Sequence, residues 1–447
     1  EALSLAFSNG RDFRYQKESL YLSMLSLTLT RHDYAWKPSA TISGDITMDG
    51  NGDGATETYT TADATLELAK RLLDGGTFSV RGTVAQAGVV TGAGGNSNVG
   101  AVSATLSQPL LSGAGAAGRE SLVQAERSVL YDARDFELFR QRLAISVITD
   151  YYNLLRQRRF IESAEANVKR LTFLYERSEA LFKKDKQTLV DKLRALQEKL
   201  QAENRLNDQR VSYSLALDKF KISLGITTDK KIEIADEAIE PEIVNVDLDA
   251  AVASALANRL DLMTAREQLE DSERKLHVSR NKLLPELDMV ARAGIGSESG
   301  HNFLDNAADS GGSASVGLTL DLPLDKKAER NSYKSALVSL EREKRAFSLT
   351  EDNVKLSVRD TVNNLHQAEV SLAIQKQNVE QAKLRREAAQ LYFERGEYGT
   401  RDLVEAESAV LDAENAYVQA QVDYVIASVQ LRKDIGTLRV DENGNWR

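Results

Sequence analysis

The chain has 447 residues, 42% of them hydrophobic, with a formal net charge of -10 and no cysteine. The acidic balance argues against a nucleic-acid partner, and the lack of cysteine excludes disulfides and thiolate metal sites. No window approaches the roughly 18 to 20 consecutive apolar residues of a membrane-spanning helix, and no signal peptide is predicted in the sequence.

The first half begins with a predicted helix of roughly 30 residues, followed by a β section at about residues 34–110. Apolar and small polar residues alternate from Trp36 to Thr47, which predicts a strand with one apolar face. Such a sheet is half buried, and its apolar face meets either a protein core or lipid. Residues 66–90 predict another hairpin around Gly75 and Gly76 that the second half lacks, so the number of strands stays open.

Long helices follow in each half. A helical hairpin predicted at residues 119–224 begins with a rod on the order of 100 Å, because each helical residue adds about 1.5 Å. Its apolar residues form heptad-like seams, which favour packing along other long helices over a cofactor site. After a linker at residues 227–248, the second half has a helix, a β section at about 285–323 and a helical hairpin at 328–436.

An internal repeat accounts for this order of elements. A constant shift of 211 positions places residues 119–225 over residues 330–436 and pairs Asp191 with Asp402. The predicted fold class is therefore mainly α with β, built from an internal twofold repeat. The predicted boundaries are residues 1–226 for the first structural repeat and residues 249–447 for the second.

Gly113, Gly115 and Gly118 spell G-x-G-x-x-G between a predicted strand and a predicted helix, which is the form of a dinucleotide-binding turn. Such a site needs a second parallel strand within a unit of about 30 residues, whereas here the helix continues past Leu171. The equivalent turn of the second repeat, DLPLDKKAERNSY, contains no glycine. We therefore interpret the three glycines as a loop of small residues that joins strand to helix.

The segment DGNGDG places Asp49, Asn51 and Asp53 at the spacing of a calcium-binding loop, but Thr60 stands where a bidentate Glu is expected. Its flanks are predicted strands, which favours a polar hairpin loop over a weak calcium site. The four histidines show no metal-ligand spacing, and no nucleophile motif is present. The sequence therefore predicts no catalytic residues, no metal site and no cofactor, and it does not predict an enzyme.

Several short motifs recur at corresponding places. LSQPLL and LDLPL precede the long helices, LGI and IGTL end the two repeats, and LYFERGEYGTRDLVEAESAVLDAE interrupts the last helical hairpin. Together with the repeat, they resemble the TolC-like family of outer membrane efflux proteins over almost the whole chain. The interruption looks like the family's helix-turn-helix tip, and the first repeat departs from that pattern with Asp185 and Arg194 in place of a glycine and an acid.

The resemblance implies a homotrimer in which the strands complete one membrane β-barrel and the long helices complete a coiled-coil α-barrel. It implies an outer membrane channel-tunnel, with its helical part in the periplasm, that exports small molecules, metals or proteins. Its partners would be outer membrane lipid, a periplasmic adaptor (membrane fusion protein) and an inner-membrane transporter, in a tripartite efflux or type I secretion system. The alternative is a soluble periplasmic coiled-coil scaffold without a pore.

The resemblance also implies roles for residues of the tip. Asp402 and Glu405 share a helix face, and threefold symmetry would gather six carboxylates around one axis as a pore constriction. The alternative is that they are solvated tip charges. The predicted constriction residues are Asp402, Glu405 and Asp191, and the predicted adaptor contacts of the tip are Phe393, Gly396, Gly399 and Leu403.

Overall fold

A computed structural model describes residues 1–50, 56–91, 97–235, 239, 241–296 and 312–441. Within these residues it contains eight helices and six strands. In chain order they are α1 (Ala2–Asn9), α2 (Arg11–His32), β1 (Lys37–Gly50), β2 (Thr56–Arg71), β3 (Thr77–Thr91), β4 (Ser97–Pro109), α3 (Ala116–Phe182), α4 (Leu189–Ser223), α5 (Leu248–Asn258), α6 (Leu260–Asn281), β5 (Glu286–Gly296), β6 (Gly312–Asp321), α7 (Lys327–Glu394) and α8 (Thr400–Asp434). No helix in the described part of the chain is long and apolar enough to cross a membrane.

The long helices of the two halves are nearly equal in length. Helices α3 and α7 have 67 and 68 residues, and α4 and α8 have 35 residues each. They are rich in Ala, Leu, Glu, Gln, Lys and Arg, which lose little rotamer freedom in a helix. The predicted long helical hairpins are therefore present, and the predicted repeat boundaries stay a prediction.

The prediction of one helix of roughly 30 residues at the start of each half is wrong, because two shorter helices occupy each of these segments. The first break lies at Gly10, which has φ -57° and ψ 126°, and the second lies at Arg259, with φ -68° and ψ 124°. The end of α4 approaches the first break so closely that a Cβ on Gly225 would lie 2.2 Å from the Asn9 carbonyl oxygen. Gly225 also has φ +71°, so its position needs glycine for two reasons.

The six strands form one antiparallel sheet in the order β1-β2-β3-β4-β5-β6. Strands β2 and β3 are the further hairpin that the sequence predicts, with Gly75 in its turn at φ +94°. The described strands of the second half are β5 and β6, which pair directly with each other. The predicted β sections are thus occupied by four and two strands among the described residues.

One face of the sheet is apolar and open to the surroundings. Apolar residues on this face are opposite one another on neighbouring strands, as are Leu66 and Ala40, and Leu318 and Met289. Its most exposed members are Ile42, Ile46, Met48, Leu66, Val84, Val316, Leu318 and Leu320. The opposite face carries small polar residues such as Thr41, paired with Thr65.

The described residues form two compact units. The first contains residues 1–19, 134–264 and 348–447, and its main core joins Val147, Leu154 and Leu155 of α3 to Val422 and Val429 of α8. The predicted linker contributes to this core: Ile234 is buried, and its carbonyl accepts a hydrogen bond from Arg158 Nη1 at 2.7 Å. Heptad seams predicted from the sequence are therefore helix-helix core.

The second unit contains residues 20–133 and 265–347. Helices α3 and α6 are joined there by a cluster around buried Asp271, whose carboxylate accepts a hydrogen bond from Tyr131 at 2.8 Å and pairs with Arg127 and Arg274 at 3.2 and 2.9 Å. The pKa of Arg127 is well above its usual value, chiefly because of its hydrogen bond with Tyr131. These contacts satisfy a charge that burial alone would penalise.

The DGNGDG segment begins with the last two residues of β1, Asp49 and Gly50. Asp49 and Thr60 are strand residues, and Asp49 is opposite Glu57 in the antiparallel register. Asn51 and Asp53 lie outside the described residues. In the described ranges no group of His, Asp and Glu residues is arranged to hold a metal ion.

Candidate functional site at the helical tips

Two turns join the long helices, one between α3 and α4 and one between α7 and α8. We call residues 181–191 the first tip and residues 392–402 the second tip. In the first tip, Lys186 N donates to the Leu181 carbonyl at 3.0 Å; in the second, Glu397 N donates to the Tyr392 carbonyl at 2.9 Å. Each pair differs from the other by the shift of 211 positions, so the two tips share one backbone turn.

The turn residue of each tip has a left-handed backbone. Gly396 has φ +78°, and its counterpart Asp185 has φ +53°. Asp185 is the one non-glycine residue with positive φ in the described chain, and aspartate tolerates this region better than most residues. The departure of the first repeat from the family's glycine therefore keeps the same turn.

An acidic side chain holds the start of the next helix in both tips. Asp191 accepts a hydrogen bond from Thr188 Oγ1 at 2.6 Å, and its N-H donates back to Thr188 Oγ1 at 3.2 Å. Asp402 accepts one from the Gly399 N-H at 3.0 Å. Carboxylates in the first turn also interact favourably with the helix dipole. Two of the three predicted constriction residues, Asp191 and Asp402, thus have a structural role at a helix start.

The predicted adaptor contacts divide into buried and exposed residues. Phe393 and Leu403 are 7% and 8% exposed, and they pack with Leu171 and Leu174 of α3. The Arg177 guanidinium lies 4.9 Å from the centre of the Phe393 ring, a cation-π geometry. These side chains therefore hold the two tips together within one chain.

A hydrogen bond also joins the tips directly. Gln187 Nε2 donates to Thr400 Oγ1 at 3.1 Å, and Thr400 is fully buried. Gly396 and Gly399 are exposed turn residues, and the adaptor contact predicted for the segment stays a prediction. The apolar side chains that the tips do expose are Leu189, Val190, Tyr392 and Tyr398, the last two with ring centres 5.0 Å apart.

Asp402 and Glu405 are both exposed on the first two turns of α8. Glu405 forms an ion pair with Arg385 of α7 at 2.6 Å, and both side chains are more than half exposed. Asp191 makes its hydrogen bonds within the first tip, on α4. The sequence analysis missed Arg385, because its position opposite Glu405 depends on how α7 and α8 are aligned.

A second ion pair braces the first tip. Glu179 of α3 accepts a hydrogen bond from Lys192 Nζ of α4 at 3.1 Å, and Lys183 lies 3.8 Å away. The hydrogen bond from Lys192, with the charges of both lysines, lowers the pKa of Glu179. The tips are therefore held by packing, by helix caps and by ion pairs.

The chain that contains these tips is similar to known outer membrane proteins. Residues 251–437 match the family model described as outer membrane efflux protein. The chain is 22% identical to the outer membrane protein TolC of Vibrio cholerae over 322 residues, 71% of this chain and 73% of TolC.

Solved structures extend the likeness to nearly the full length. The outer membrane protein VceC of Vibrio cholerae superposes with a TM-score of 0.73 at 16% identity, covering 97% of this chain and 95% of VceC. The open state of the MtrE outer membrane channel of Neisseria gonorrhoeae gives 0.71 at 14% identity, covering 97% and 88%. The two tips thus belong to a fold shared with outer membrane channels.

Proposed function

We infer that this chain, whose residues 251–437 match the outer membrane efflux protein family model and whose fold is shared with outer membrane channels, is an outer membrane efflux channel. Its sheet lies in the outer membrane, and its helical part extends into the periplasm. The channel exports its cargo passively and forms the outer component of a tripartite efflux or type I secretion system.

The observation that carries this proposal is the two-faced sheet. Ile42, Leu66 and Val316 are 86%, 69% and 74% exposed on its apolar face, although large apolar patches on water-soluble proteins are normally covered. Alternation of apolar and small polar residues is typical of strands with lipid on one side and water on the other. A soluble scaffold, the alternative from the sequence, gives no reason for this exposure.

Trimerisation is proposed from the same surfaces. Strands β1 and β6 end the sheet of a single chain, and open edges in a membrane leave backbone groups without hydrogen bonds. Helices α4 and α7 also expose apolar side chains along their length, such as Leu193, Leu200, Ile374 and Leu384. Three copies related by a threefold axis would pair the edges into a β-barrel and bury the helix seams in an α-barrel.

The helical tips are the proposed periplasmic end. Leu189, Val190 and Tyr398 are exposed there and would meet a periplasmic adaptor, which links the channel to an inner-membrane transporter. Asp402 and Glu405 of three copies form the proposed constriction, with Asp191 beside it. An adaptor opens this end only if it binds the open tips better than the closed ones.

Membrane fractionation and mass measurement test the proposal. We expect the full-length protein in the outer membrane fraction, a trimer in detergent and ion conduction in planar bilayers. A stable detergent-free rod in the soluble fraction would support the scaffold alternative. A monomer that conducts ions would contradict the proposed trimer but would still support the proposed channel function.

A further inference from the structure

The first half of the chain contains a hairpin without a counterpart among the described strands of the second half. Strands β2 and β3 stand between β1 and β4, whereas β5 and β6 pair directly with each other. The hairpin is part of the sheet, since both of its outer sides are hydrogen bonded to neighbouring strands. It raises the strand count of one chain from four to six.

The turn of this hairpin is anchored on the glycine loop before α3. Gly115 N donates to the Asp74 carbonyl at 2.9 Å. A Cβ on Gly118 would lie 2.4 Å from Gly75 N, and a Cβ on Gly75 would lie 2.3 Å from the Gly113 carbonyl oxygen. Side chains are absent on both sides because two backbones meet there.

The hairpin is also anchored to the beginning of β1. The rings of Trp36 and Phe78 have centres 5.8 Å apart in an edge-on arrangement, and Lys70 Nζ lies 5.4 Å from the Trp36 ring. Across the polar face, Arg81 pairs with Glu67 at 2.8 Å. Fixed at its turn, its flank and its interior, the hairpin is a permanent part of the sheet.

The strand register gives the sheet the stagger of a closed barrel. Register partners lead from Lys37 at the start of β1 through Ala69, Ser79, Thr105 and Arg292 to Ser315 of β6, six residues before the end of that strand at Asp321. Six residues span about 20 Å along a strand, and five gaps between strands span about 24 Å. The resulting tilt of about 40° lies in the range that closed barrels use.

We propose that the β6 edge of one copy pairs with the β1 edge of the next, so that three copies close a barrel of eighteen strands. This rests on the trimer of the proposed function. Six is an even number, so β1 and β6 run in opposite directions and the pairing between copies is antiparallel, like every pairing within the chain. The β2-β3 hairpin supplies two of the six strands of each copy.

The hairpin therefore sets the width of the pore in the membrane. With strands about 4.8 Å apart and tilted by about 40°, eighteen strands close at a diameter of about 36 Å, against about 24 Å for the twelve that would remain without the hairpins. Side chains take about 10 Å of either diameter. The barrel then admits cargo of about 26 Å, and the helical tips rather than the barrel limit its size.

Cysteine cross-linking tests the edge pairing, because the chain has no cysteine of its own. A continuous apolar face requires an odd-numbered residue of β1 opposite Thr319, since both are then on the polar face. Aligning the end of β6 at Asp321 with the start of β1 at Lys37 places Ser39 of the next copy there, or Thr41 after a shift of two residues. We expect Thr319→Cys to give a trimer that resists SDS until it is reduced when combined with Ser39→Cys or with Thr41→Cys. The matched control, Thr319→Cys with Ala40→Cys, places the thiols on opposite faces and should remain uncross-linked.

Polymer exclusion from the extracellular side measures the width independently. We expect poly(ethylene glycol) of about 20 Å diameter to enter the wild-type barrel and lower its conductance. A variant lacking residues 56–91 should exclude the same polymer, because twelve strands leave about 14 Å. If that variant does not fold, the wild-type cut-off alone decides the width.

The outcomes separate this inference from the proposed function. A conducting trimer that excludes polymers wider than about 14 Å, or that cross-links in neither register, overturns the eighteen-stranded barrel. The proposed channel function would still stand. A protein that forms no trimer and conducts no ions overturns both.

Discussion

The constriction proposed at the second tip contains three charged side chains per copy, and they determine the ion selectivity expected of it. Asp402 and Glu405 contribute two carboxylates per copy and Arg385 one guanidinium, so three copies would gather a net charge of -3. Glu405→Gln removes three negative charges and leaves a neutral ring. Arg385→Gln removes three positive charges and leaves six carboxylates without their partners. Cation preference should therefore disappear in the first variant and increase in the second.

The expected size of the change follows from Coulomb's law. An ion about 8 Å from each of three carboxylates gains about 0.5 kcal/mol from each in water, or about 1.5 kcal/mol in total. An anion is disfavoured by the same amount, so the cation-to-anion ratio changes by up to about a hundredfold at 0.01 M salt. At 1 M salt the Debye length is about 3 Å, and the difference should nearly vanish.

The assay is the reversal potential of single channels in planar bilayers under a salt gradient. Asp402 needs a conservative substitution, because its carboxylate accepts a hydrogen bond from the Gly399 N-H. Asp402→Asn keeps an acceptor oxygen and removes the charge, whereas Asp402→Ala removes the cap as well. Comparing the two separates loss of charge from loss of the turn.

One result would refute the reasoning. If Glu405→Gln and Arg385→Gln conduct as the wild type does, with the same reversal potential at 0.01 M salt, these side chains do not line the narrowest point. They would then be solvated tip charges, and the pair between them would be a surface salt bridge of about 1 kcal/mol at most.

Two further predictions concern stability. Gly225→Ala should lower the thermal midpoint far more than Gly396→Ala. Both positions have positive φ, which alone costs about 1 to 2 kcal/mol, but only a Cβ at Gly225 would meet a backbone atom, the Asn9 carbonyl oxygen at 2.2 Å. Equal midpoints for the two variants would show that the close approach is absent. Glu179→Gln should lower the midpoint at pH 7 by more than it does at acidic pH. Hydrogen bonding from Lys192 lowers the pKa of Glu179, so its stabilisation is present above about pH 4.3 and is lost as pH falls through the lowered value; a difference between variant and wild type that does not shrink on acidification would contradict this.

Most of the helices and strands could be predicted, because the periodic spacing of apolar residues that indicates them can be recognised in the sequence without knowing which segments contact each other. The period of two from Trp36 to Thr47 and the heptad seams of α3 follow from burial of one face. The β2-β3 hairpin was also predicted, from Gly75 and Gly76 between two alternating runs.

The details that escaped prediction depend on contacts between distant segments. Nothing near Arg259 in the sequence marks a break, because the break fits against Gly436 at the end of α8. Asp185 departs from the glycine of the tip pattern, yet it adopts the same left-handed turn. The pairing of Arg385 with Glu405 depends on how two antiparallel helices are aligned, which a turn of uncertain length does not fix.

The glycine motif before α3 shows how far a sequence pattern alone can be taken. In a dinucleotide site, glycines permit a tight turn and let backbone approach the pyrophosphate. Here Gly113 and Gly115 supply the turn, with φ +81° and +63°, and Gly118 supplies the close approach. What approaches Gly118 is the Gly75 backbone of the extra hairpin, so the chain itself occupies the place that a ligand would take. Among its described residues the second half has no such turn to accommodate, and its corresponding loop has no glycine.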